Sequence, residues 1–345
     1  MGVEVKKARR VTSIDVAEAA GVSQSTVSRA LSGCDSITEA TRSRVIEAAR
    51  KLQYRVNEHA ARLRRGSTGT LAVIVIGRAG AAPGAINPFH YKLLGAVCAE
   101  ASARGLDALV SFQCDPAQFY HDYIESGQAD GIILIGTTVN TPAWDFHAPL
   151  LERANVSSWA SPFDKEVEIR SDNASAARIA VERLVRARHR SVTFVGQPTG
   201  DQPQFGERYR GMVAAAEEAG LAHDCIVPPN NATRAEEGRA AIQALMASGK
   251  PMDALFFACD AQALGGLGAL AEAGCDVPGA VGVIGFDGVE GGAHSNPPLT
   301  TIEPDFAQAA RLLVERSLSG EEPQEGEGET ARAPVRLVER ASVSR

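Results

Sequence analysis

Several features that would assign this 345-residue chain to a specialised class are missing from it. Its longest apolar runs, such as residues 71–76, fall well short of the roughly 18 residues that a membrane-spanning helix needs. Residues 1–10 are polar and basic, without the apolar centre and small-residue cleavage site of a signal peptide. The six cysteines are scattered and form no C-x-x-C pair, which argues for reduced thiols and against a zinc site. We therefore expect a cytoplasmic protein that makes no contact with a membrane.

Sequence signatures of common enzyme classes are also missing. The chain has no G-x-x-x-x-G-K-[ST] phosphate loop, no H-E-x-x-H zinc motif and no G-x-S-x-G nucleophile motif. The run Gly265-Gly-Leu-Gly268 lies inside a helical pattern, so close helix packing explains it better than dinucleotide binding. The sequence therefore predicts no catalytic residues, no metal ligands and no cofactor.

The chain does have an uneven distribution of charge. Its net charge is −7, from 35 Lys and Arg against 42 Asp and Glu. Residues 1–66 nevertheless carry 13 basic and 7 acidic side chains, whereas the remainder carries 22 basic and 35 acidic ones. A basic head on an acidic body is expected when one end binds a polyanion. A solvated N-terminal arm could carry the same charge, but it would not need the apolar periodicity of this segment.

The basic segment is predicted to form three short helices. Thr12 and Asp15 have the spacing of a capping box, and Gly21 suits the left-handed residue that ends a helix. Ser23 and Thr38 are candidate N-caps of the second and third helices. The predicted core positions repeat at helical spacing and are Val16, Ala17, Ala20, Val27, Ala30, Leu31, Val45, Ile46, Ala49 and Leu52.

The spacing between the first two helices is that of a helix-turn-helix. Ala17 and Gly21 allow the helices to cross closely, and Val27 fills the gap between them. The second helix would then present short polar side chains and Arg29 to the major groove of DNA. A three-helix bundle that does not touch DNA is the alternative, but the exposed face offers Arg29 no carboxylate partner. The pattern therefore favours DNA binding.

These residues resemble the head of the LacI/GalR family of bacterial transcriptional regulators. The resemblance runs through residues 11–31, 41–45 and 48–54, and includes Asn57 and residues 60–63. It reappears in residues 283–287 and 297–302, so it spans essentially the whole chain, and its head motif is the most specific part. It implies a mixed α/β fold class: an all-α helix-turn-helix head followed by a two-lobed, periplasmic-binding-protein-like body with parallel sheets.

The resemblance also implies which head residues contact DNA. Gln24 and Ser25 fall at the variable positions where the family contacts base edges, and Arg29 falls where a guanidinium contacts a base or a nearby phosphate. Because Gln24 and Ser25 vary within the family, they do not indicate a particular operator sequence. The candidate DNA-contacting residues of the head are Thr12, Ser23, Gln24, Ser25, Thr26, Ser28 and Arg29.

Residues 57–64 match the family's hinge helix. In that match, Leu63 inserts between base pairs in the minor groove, and neighbouring arginines neutralise phosphates. An ordinary linker residue is the alternative for Leu63. The candidate DNA contacts here are Asn57, Ala60, Leu63 and Arg64. The predicted division is a head over residues 1–56, a hinge helix and linker over 57–70, and an effector-binding and dimerisation domain over 71–345.

From residue 71 onward, strand patterns alternate with helical ones. The predicted strands are residues 71–76, 108–112, 131–135, 191–195, 254–257 and 281–285. The predicted helices are residues 91–104, 174–187, 206–219, 235–247 and 261–273. This alternation predicts parallel sheets with helices on both faces, and its length favours two lobes. The resemblance implies chain crossings near residues 168, 300 and 331, with lobe one at about 71–168 and 300–331 and lobe two at about 169–299 and 332–345.

A small molecule bound to such sheets lies at the carboxyl ends of the strands, here in the cleft between the lobes. Asp287 ends a predicted strand, where its carboxylate can accept hydrogen bonds from ligand hydroxyls or amines. The resemblance implies that Arg208 contacts the ligand and that Phe89, His90, Ser171 and Cys259 line the cleft. Cys259 departs from the asparagine usual in the family, which puts one polar contact in doubt. A structural cap or an inter-lobe salt bridge is the alternative for Asp287 and Arg208.

The prediction is therefore a ligand-responsive repressor that binds a pseudo-palindromic operator in double-stranded DNA as a homodimer. The expected effector is a sugar or sugar derivative, with a purine or another small metabolite left open. Two other functions are alternatives. One is a soluble small-molecule-binding protein whose basic head is incidental, and the other is an enzyme that uses the cleft, for which no nucleophile–base or metal constellation is visible.

Overall fold

The computed structural model describes residues 11–54, 66–81, 86–163, 169–200, 202–231, 233–320 and 331–343. The chain divides into two compact units, Met1–Thr68 and Gly69–Arg345, each with its own hydrophobic core. The predicted hinge contacts Asn57, Ala60, Leu63 and Arg64 lie outside the described residues. None of the described helices is both long and apolar enough to span a membrane.

The described part of the first unit contains the three predicted helices, α1 (Ser13–Ala20), α2 (Gln24–Leu31) and α3 (Glu39–Lys51). Each begins after a predicted N-cap whose hydroxyl accepts a backbone N–H that the first helical turn leaves unpaired. These caps are Thr12, Ser23 and Thr38. Thr12 and Asp15 complete the capping box, and Gly21 (φ 64°) ends α1 in the left-handed conformation. Local sequence signals therefore define the ends of these helices.

The core of the head consists of small aliphatic side chains from all three helices: Val16, Ala17, Ala20, Val27, Ala30, Val45, Ala48 and Ala49. The prediction that Ile46 belongs to this core is wrong, because Ile46 is 49% exposed. From Val45 the buried face continues three and four residues later, to Ala48 and Ala49, and the adjacent Ile46 points away from it. Leu31 and Leu52 are half-buried at the edge of the core.

The second unit contains two main sheets. The first has four parallel strands in the order β2–β1–β3–β4. The strands are β1 (Thr70–Ile76), β2 (Asp107–Gln113), β3 (Gly131–Gly136) and β4 (Val156–Ser158). Strand β1 is central and buried at every position, as expected for a parallel strand covered on both faces. The helices α4 (Pro88–Ala103) and α5 (Thr141–His147) belong to this lobe.

The second sheet has six strands in the order β12–β10–β9–β8–β6–β7, of which only β12 is antiparallel to its neighbour. Its strands are β6 (Ser191–Val195), β7 (Ala222–Ile226), β8 (Ala254–Phe257), β9 (Gly282–Phe286), β10 (Thr300–Pro304) and β12 (Val335–Val338). The helices of this lobe are α6 (Asn173–Arg186), α7 (Pro203–Ala219), α8 (Arg234–Ala247) and α9 (Asp260–Glu272).

Three segments connect the two sheets. Strands β5 (Arg170–Ser171) and β11 (Arg332–Ala333) pair in parallel with each other. The third connection follows Pro304 and continues into α10 (Phe306–Leu318), which packs on α4 and β4. The crossing predicted near residue 300 follows Pro304, within several residues of the predicted position, because Thr300–Pro304 still pairs with β9 and β12 of the second sheet.

The six predicted strands are present, with ends that differ by at most one residue from the prediction. Helices α4 and α7 begin three residues earlier than predicted, because each has a proline in its first turn, where the missing N–H costs no hydrogen bond. The close packing predicted for Gly265 is confirmed: a Cβ at this position of α9 would overlap the carbonyl oxygen of Ala235 in α8.

Candidate DNA-contacting helix and ligand cavity

Helix α2 presents a polar face to solvent. Gln24, Ser25, Ser28 and Arg29 are exposed, whereas Val27 and Ala30 are buried. Among the described head residues, ion pairs join Arg42 to Glu39 and Lys51 to Glu47, and none involves Arg29. The Arg29 guanidinium therefore has free N–H donors at the surface, as a contact to a base or phosphate requires.

The other candidate DNA contacts surround the starts of α1 and α2. The Thr12 hydroxyl donates to Asp15 Oδ2 at 2.7 Å, and Ser23 Oγ lies 2.8 Å from Ser25 Oγ and 2.9 Å from Thr26 Oγ1. Gln24 Nε2 donates to Ser13 Oγ of α1 at 2.9 Å. Thr12 and Ser23 thus have a structural role as caps, and their contact with DNA stays a prediction. Exposed helix N-termini of this kind favour phosphate groups.

The body contains a cavity of about 410 Å³ lined by residues of both lobes. All six predicted effector-binding residues line it, namely Phe89, His90, Ser171, Arg208, Cys259 and Asp287. They come from the start of α4, from β5, from the middle of α7, and from the ends of β8 and β9. The volume is within the range of small-molecule sites. Widely separated residues are thus brought to one site, although their contact with an effector remains a prediction.

Arg208 is 5% exposed and is fixed by contacts within the second lobe. Its Nε donates to Asn173 Oδ1 at 2.8 Å, one terminal nitrogen donates to the carbonyl of Ala258, and its guanidinium carbon lies 3.3 Å from the Phe286 ring centroid. Burial lowers the pKa of Arg208 to about 10, although the nearby Asp287 acts in the opposite direction. In the described part of the chain these bonds use two of its five N–H groups, so the others can bind a ligand.

Asp287 follows β9 and is also 5% exposed. Its backbone has φ 126°, a conformation that is strained for a residue other than glycine, and strained residues of this kind cluster at functional sites. Burial raises the pKa of the Asp287 carboxyl well above its usual value, and the negative charge of Asp260 adds to this shift. Arg208 and a backbone hydrogen bond from Asp260 act against the shift.

These contacts bear on the two alternative roles of Asp287 and Arg208, a structural cap and an inter-lobe salt bridge. Among the described residues no ion pair joins the two side chains to each other, and neither belongs to an ion pair between the lobes. The hydrogen bond from Asp260 at the start of α9 does give Asp287 part of a capping role. Asp260 is buried behind it, where Thr301 Oγ1 and the backbone amide of Val289 donate to its carboxylate. Burial raises the pKa of Asp260 to about 7.

The first lobe contributes mainly apolar surface to the cavity. The Phe89 ring is buried between Trp159 and Phe306, at centroid distances of 6.0 and 5.3 Å. His90 follows it, and burial together with the charge of Arg234 lowers the pKa of His90 to about 4. The imidazole is therefore neutral at pH 7 and can both donate and accept a hydrogen bond.

Cys259 closes the cavity on the side of the second lobe, immediately before α9. Burial raises the pKa of its thiol to about 12, so it stays protonated. A thiol is a weak hydrogen-bond donor and acceptor, so this position adds shape to the cavity rather than a strong polar contact.

Sequence reasoning missed several polar residues that line the cavity. They are Arg78, Thr137, Thr138, Arg170, Asn173, Gln202, Gln204, Thr233 and Arg234. Asn173 and Arg234 are the first residues of α6 and α8. Their position after a strand or loop at the carboxyl edge of the second sheet is a signal that could have identified them.

Comparisons with known proteins agree with this architecture. Residues 13–57 match the family described as bacterial regulatory proteins, lacI family, and residues 181–343 match the periplasmic binding protein-like domain. The chain is 30% identical over 331 residues to the HTH-type transcriptional repressor CytR of Escherichia coli K12, and the match covers 92% of each sequence.

Two solved structures extend the comparison. The complex of the transcriptional regulator CelR with cellobiose has 26% identity and a TM-score of 0.64, covering 96% of this chain and 100% of that one. The lac repressor dimer bound to operator and the anti-inducer ONPF has 22% identity and a TM-score of 0.71, covering 98% and 100%. At that identity the second comparison supports the fold alone.

Proposed function

Because this chain belongs to the lacI family of bacterial regulatory proteins, we propose how its two units divide the work of a ligand-responsive transcriptional regulator. The head binds operator DNA, and the cavity of the body binds a small effector that changes the affinity for DNA. The observation that carries the proposal is that Arg208 and a strained Asp287, both buried, line one cavity to which both lobes contribute.

In the head, we propose that Gln24, Ser25 and Arg29 contact base edges. The polar face of α2 supports this proposal, because these side chains are exposed. Thr12, Ser23, Thr26 and Ser28 would position the helix through phosphate contacts. In the segment that follows, Asn57, Ala60, Leu63 and Arg64 would form the minor-groove contact.

In the body, we propose a sugar or sugar derivative as the effector. The guanidinium of Arg208 and the carboxyl of Asp287 can bind adjacent hydroxyls, and Ser171 and His90 offer further hydrogen-bonding groups. Phe89 and Cys259 bound the apolar part of the same cavity. The cellobiose complex of a relative supports this class, because that protein shares the fold along its whole length.

We further propose a cytoplasmic homodimer that acts as a repressor on a two-fold symmetric operator. One short helix contacts too few base pairs to specify a site, so two heads are needed. Lobe closure around the effector would change the hinge segments that join the heads to the bodies. The effector can shift DNA affinity only by the difference in its affinity for the two states. Catalysis is not part of the proposal, since its relatives are named as regulators.

The test combines operator selection with an effector screen. Genomic fragments bound by the full chain would supply the operator, and a thermal-shift screen of mono- and disaccharides and purines would supply the effector. We expect a sugar to raise the melting temperature and to change operator affinity. Asp287→Asn should abolish that thermal shift, whereas the matched control Asp224→Asn, on the surface strand β7, should retain it.

Two results would contradict the proposal. If Asp287→Asn bound the effector as well as the unmodified chain, the cavity assignment would be wrong. If a purine shifted the melting temperature and no saccharide did, the effector class would be wrong while the cavity assignment would stand.

A further inference from the structure

A single buried carboxylate, that of Glu237, holds arginines from both lobes at the edge of the cavity. Arg78 follows β1 in the first lobe, and one of its terminal nitrogens donates to Glu237 Oε1 of α8 at 3.0 Å. The other terminal nitrogen donates to the carbonyl oxygen of Asn231, also in the second lobe, at 3.0 Å. The guanidinium of Arg78 is thus bonded twice across the cleft.

Glu237 itself is rigidly held within the second lobe. It is 3% exposed, and its Oε2 accepts hydrogen bonds from Arg234 at 2.6 Å and from Gln262 at 3.0 Å. The next residue, Gly238, lies against the backbone of α9 so closely that a Cβ would overlap Gln262. These two hydrogen bonds and the close packing of α8 on α9 hold the carboxylate in place as an acceptor for Arg78.

The same contacts continue along the wall of the cavity. Arg234 donates through its second terminal nitrogen to Gln202 Oε1 at 2.5 Å. Arg78, Arg234 and Gln202 all line the cavity, whereas Glu237 lies behind them. A ligand in the cavity can therefore contact the groups that join the lobes, which would couple its binding to lobe closure.

We propose that Arg78 and Glu237 form an inter-lobe latch that already favours the closed lobes before an effector binds, so that the effector completes the closure rather than starting it. Glu237 is a positioning residue, because it acts through Arg78 and Arg234. The latch goes beyond the proposed function, since it concerns the balance between open and closed lobes in the protein without effector or DNA. Its failure and the failure of the proposed function are therefore distinguishable.

A second contact between the lobes has a different place in the fold. Lys92 of α4 pairs with Glu303 of β10 and donates to the carbonyl of Gly288 at 3.0 Å. Glu303 lies one residue before Pro304, where the chain crosses between the lobes, and neither Lys92 nor Glu303 lines the cavity. Because the backbone joins the lobes at that crossing, the lobes can turn there but cannot separate, so we assign this pair to the pivot. Arg78 bonds across the cleft beside the cavity, where the lobes can separate. Loss of Arg78 should therefore open the lobes while the pivot remains intact.

The test measures lobe opening in the full chain without effector. Arg78→Glu would place a carboxylate against the buried Glu237, and Arg78→Lys would keep the charge but only part of the bonding. The matched control is Arg239→Glu. Arg239 lies on α8, as Glu237 does, but its ion pair with Glu272 of α9 stays within one lobe. Small-angle X-ray scattering gives the radius of gyration, and acrylamide quenching reports access to Trp159, which lines the cavity and is 4% exposed.

We expect Arg78→Glu to increase the radius of gyration and to raise the quenching constant by about threefold, as partial opening of a buried site requires. Arg78→Lys should lie between it and the unmodified chain, and Arg239→Glu should match the unmodified chain. Trp144, the other tryptophan, is fully buried and supplies a constant background. Glu237→Gln, which preserves shape and removes charge, is the second variant if Arg78→Glu fails to fold.

The latch is wrong if the variants at Arg78 and Glu237 that fold keep the radius of gyration and quenching constant of the unmodified chain. It is also wrong if Arg239→Glu opens the lobes to the same extent, because the effect would then reflect the charge of α8 rather than the contact across the cleft.

Discussion

The head and the body handle polar side chains in opposite ways. The head exposes Gln24, Ser25 and Arg29 on a helix whose core is made of small aliphatic residues. The body buries Arg208 and Asp287 in a cavity, where burial lowers the pKa of one and raises the pKa of the other. A DNA duplex is larger than the head and is bound by side chains on an exposed convex surface, whereas a small effector is enclosed in a cavity.

The difference also concerns how much each unit depends on distant parts of the chain. The head is stabilised by caps whose partners lie three residues away. The body site depends on residues as far apart in the sequence as Phe89 and Asp287, so it exists only when both sheets are assembled. Changes in the head core should therefore affect DNA binding alone, and changes in the body should affect the response to effector.

The largest expected effect is Val45→Asp in the head core. Val45 is fully buried, and an unpaired carboxylate there should cost about 3–5 kcal/mol and unfold the head. Calorimetry should show loss of the head transition, and operator binding should disappear, while thermal unfolding of the body stays unchanged. The matched control Ile46→Asp, at the exposed neighbouring position, should change stability by about 0.5 kcal/mol or less. Equal effects of the two substitutions would contradict the described core.

The next effect is at the packing of α8 on α9. Gly265→Ala places a Cβ against the backbone of Ala235, so the helices must separate at a cost of about 3 kcal/mol. Denaturant unfolding should show this loss in the body, and the affinity for effector should fall because Arg234 moves. Gly95→Ala in α4 is the control, since a Cβ there meets no atom, and it should stabilise by about 0.5–1 kcal/mol. The prediction fails if Gly265→Ala is as well tolerated as Gly95→Ala.

A smaller effect is a loss of stability at acid pH, which we expect in the body from a buried histidine. His147 is fully buried beside Gln113, and burial lowers its pKa to about 4, below the unfolded value of about 6.5. Because the unfolded chain then binds the proton more tightly, this group's contribution to stability is present above pH 6.5 and is lost as the pH falls towards 4. Residues 11–54 contain no histidine, so the described head lacks this source of acid sensitivity.

The measurement is the free energy of unfolding of the body at pH 7 and pH 4.5. The free energy of unfolding should fall between pH 7 and pH 4.5, and we expect His147→Gln to make that fall smaller by about 2 kcal/mol. This size follows from about 1.4 kcal/mol per pKa unit. His223→Gln, at the surface, is the control. An unchanged pH dependence in His147→Gln would show that this histidine does not titrate as described. Asp260 acts in the opposite direction, because its raised pKa makes stability fall as the pH rises towards 7.

The smallest effect compares one helix cap in each unit. Thr38→Ala removes the cap of α3, and Thr233→Ala removes the cap of α8, each at about 1 kcal/mol. The same loss should lower the melting temperature of the head by several degrees more than that of the body, because the smaller unit has less unfolding entropy. Similar shifts in both units would mean that the two unfold as one.

The elements of the head could be predicted because their signals are local. Thr12, Gly21 and Ser23 define helix ends through hydrogen bonds within four residues, and the buried stripes follow helical spacing. The prediction for Ile46 was wrong because Val45 and Ile46 are adjacent and both aliphatic, and only one of them can lie on the buried face. Spacing from a single helix does not reveal which of them faces the other two.

The alternation of strands and helices in the body could be predicted, but some of its strands could not. The apolar strands such as β1 and β9 were evident, whereas β7 has three exposed residues and β5 has only two residues. Such short or edge strands are defined by their partners rather than by their own composition. The exact position of the crossing, after Pro304, depends on a partner strand in the same way, since β10 pairs with β12, about 30 residues further along the chain.

The cavity residues were predicted from a family resemblance rather than from spacing alone. Asp287 had a physical signal of its own, at the end of an apolar strand. Arg234 had only its position at the start of α8, and Gln202 had no signal of its own, because the two residues reach the cavity in the assembled lobe, where their side chains bond to each other. Their role, like the coupling through Glu237, needs the assembled lobes to be visible.

The most direct test of the division of work measures operator affinity of the full chain with and without effector, for Arg29→Ala and for Asp287→Asn. We predict that Arg29→Ala weakens operator binding but keeps the thermal shift caused by the effector. Asp287→Asn should keep operator affinity in the absence of effector and lose the change that the effector causes. If Arg29→Ala bound the operator normally, or if Asp287→Asn responded to the effector like the unmodified chain, the two units would not carry the functions assigned to them.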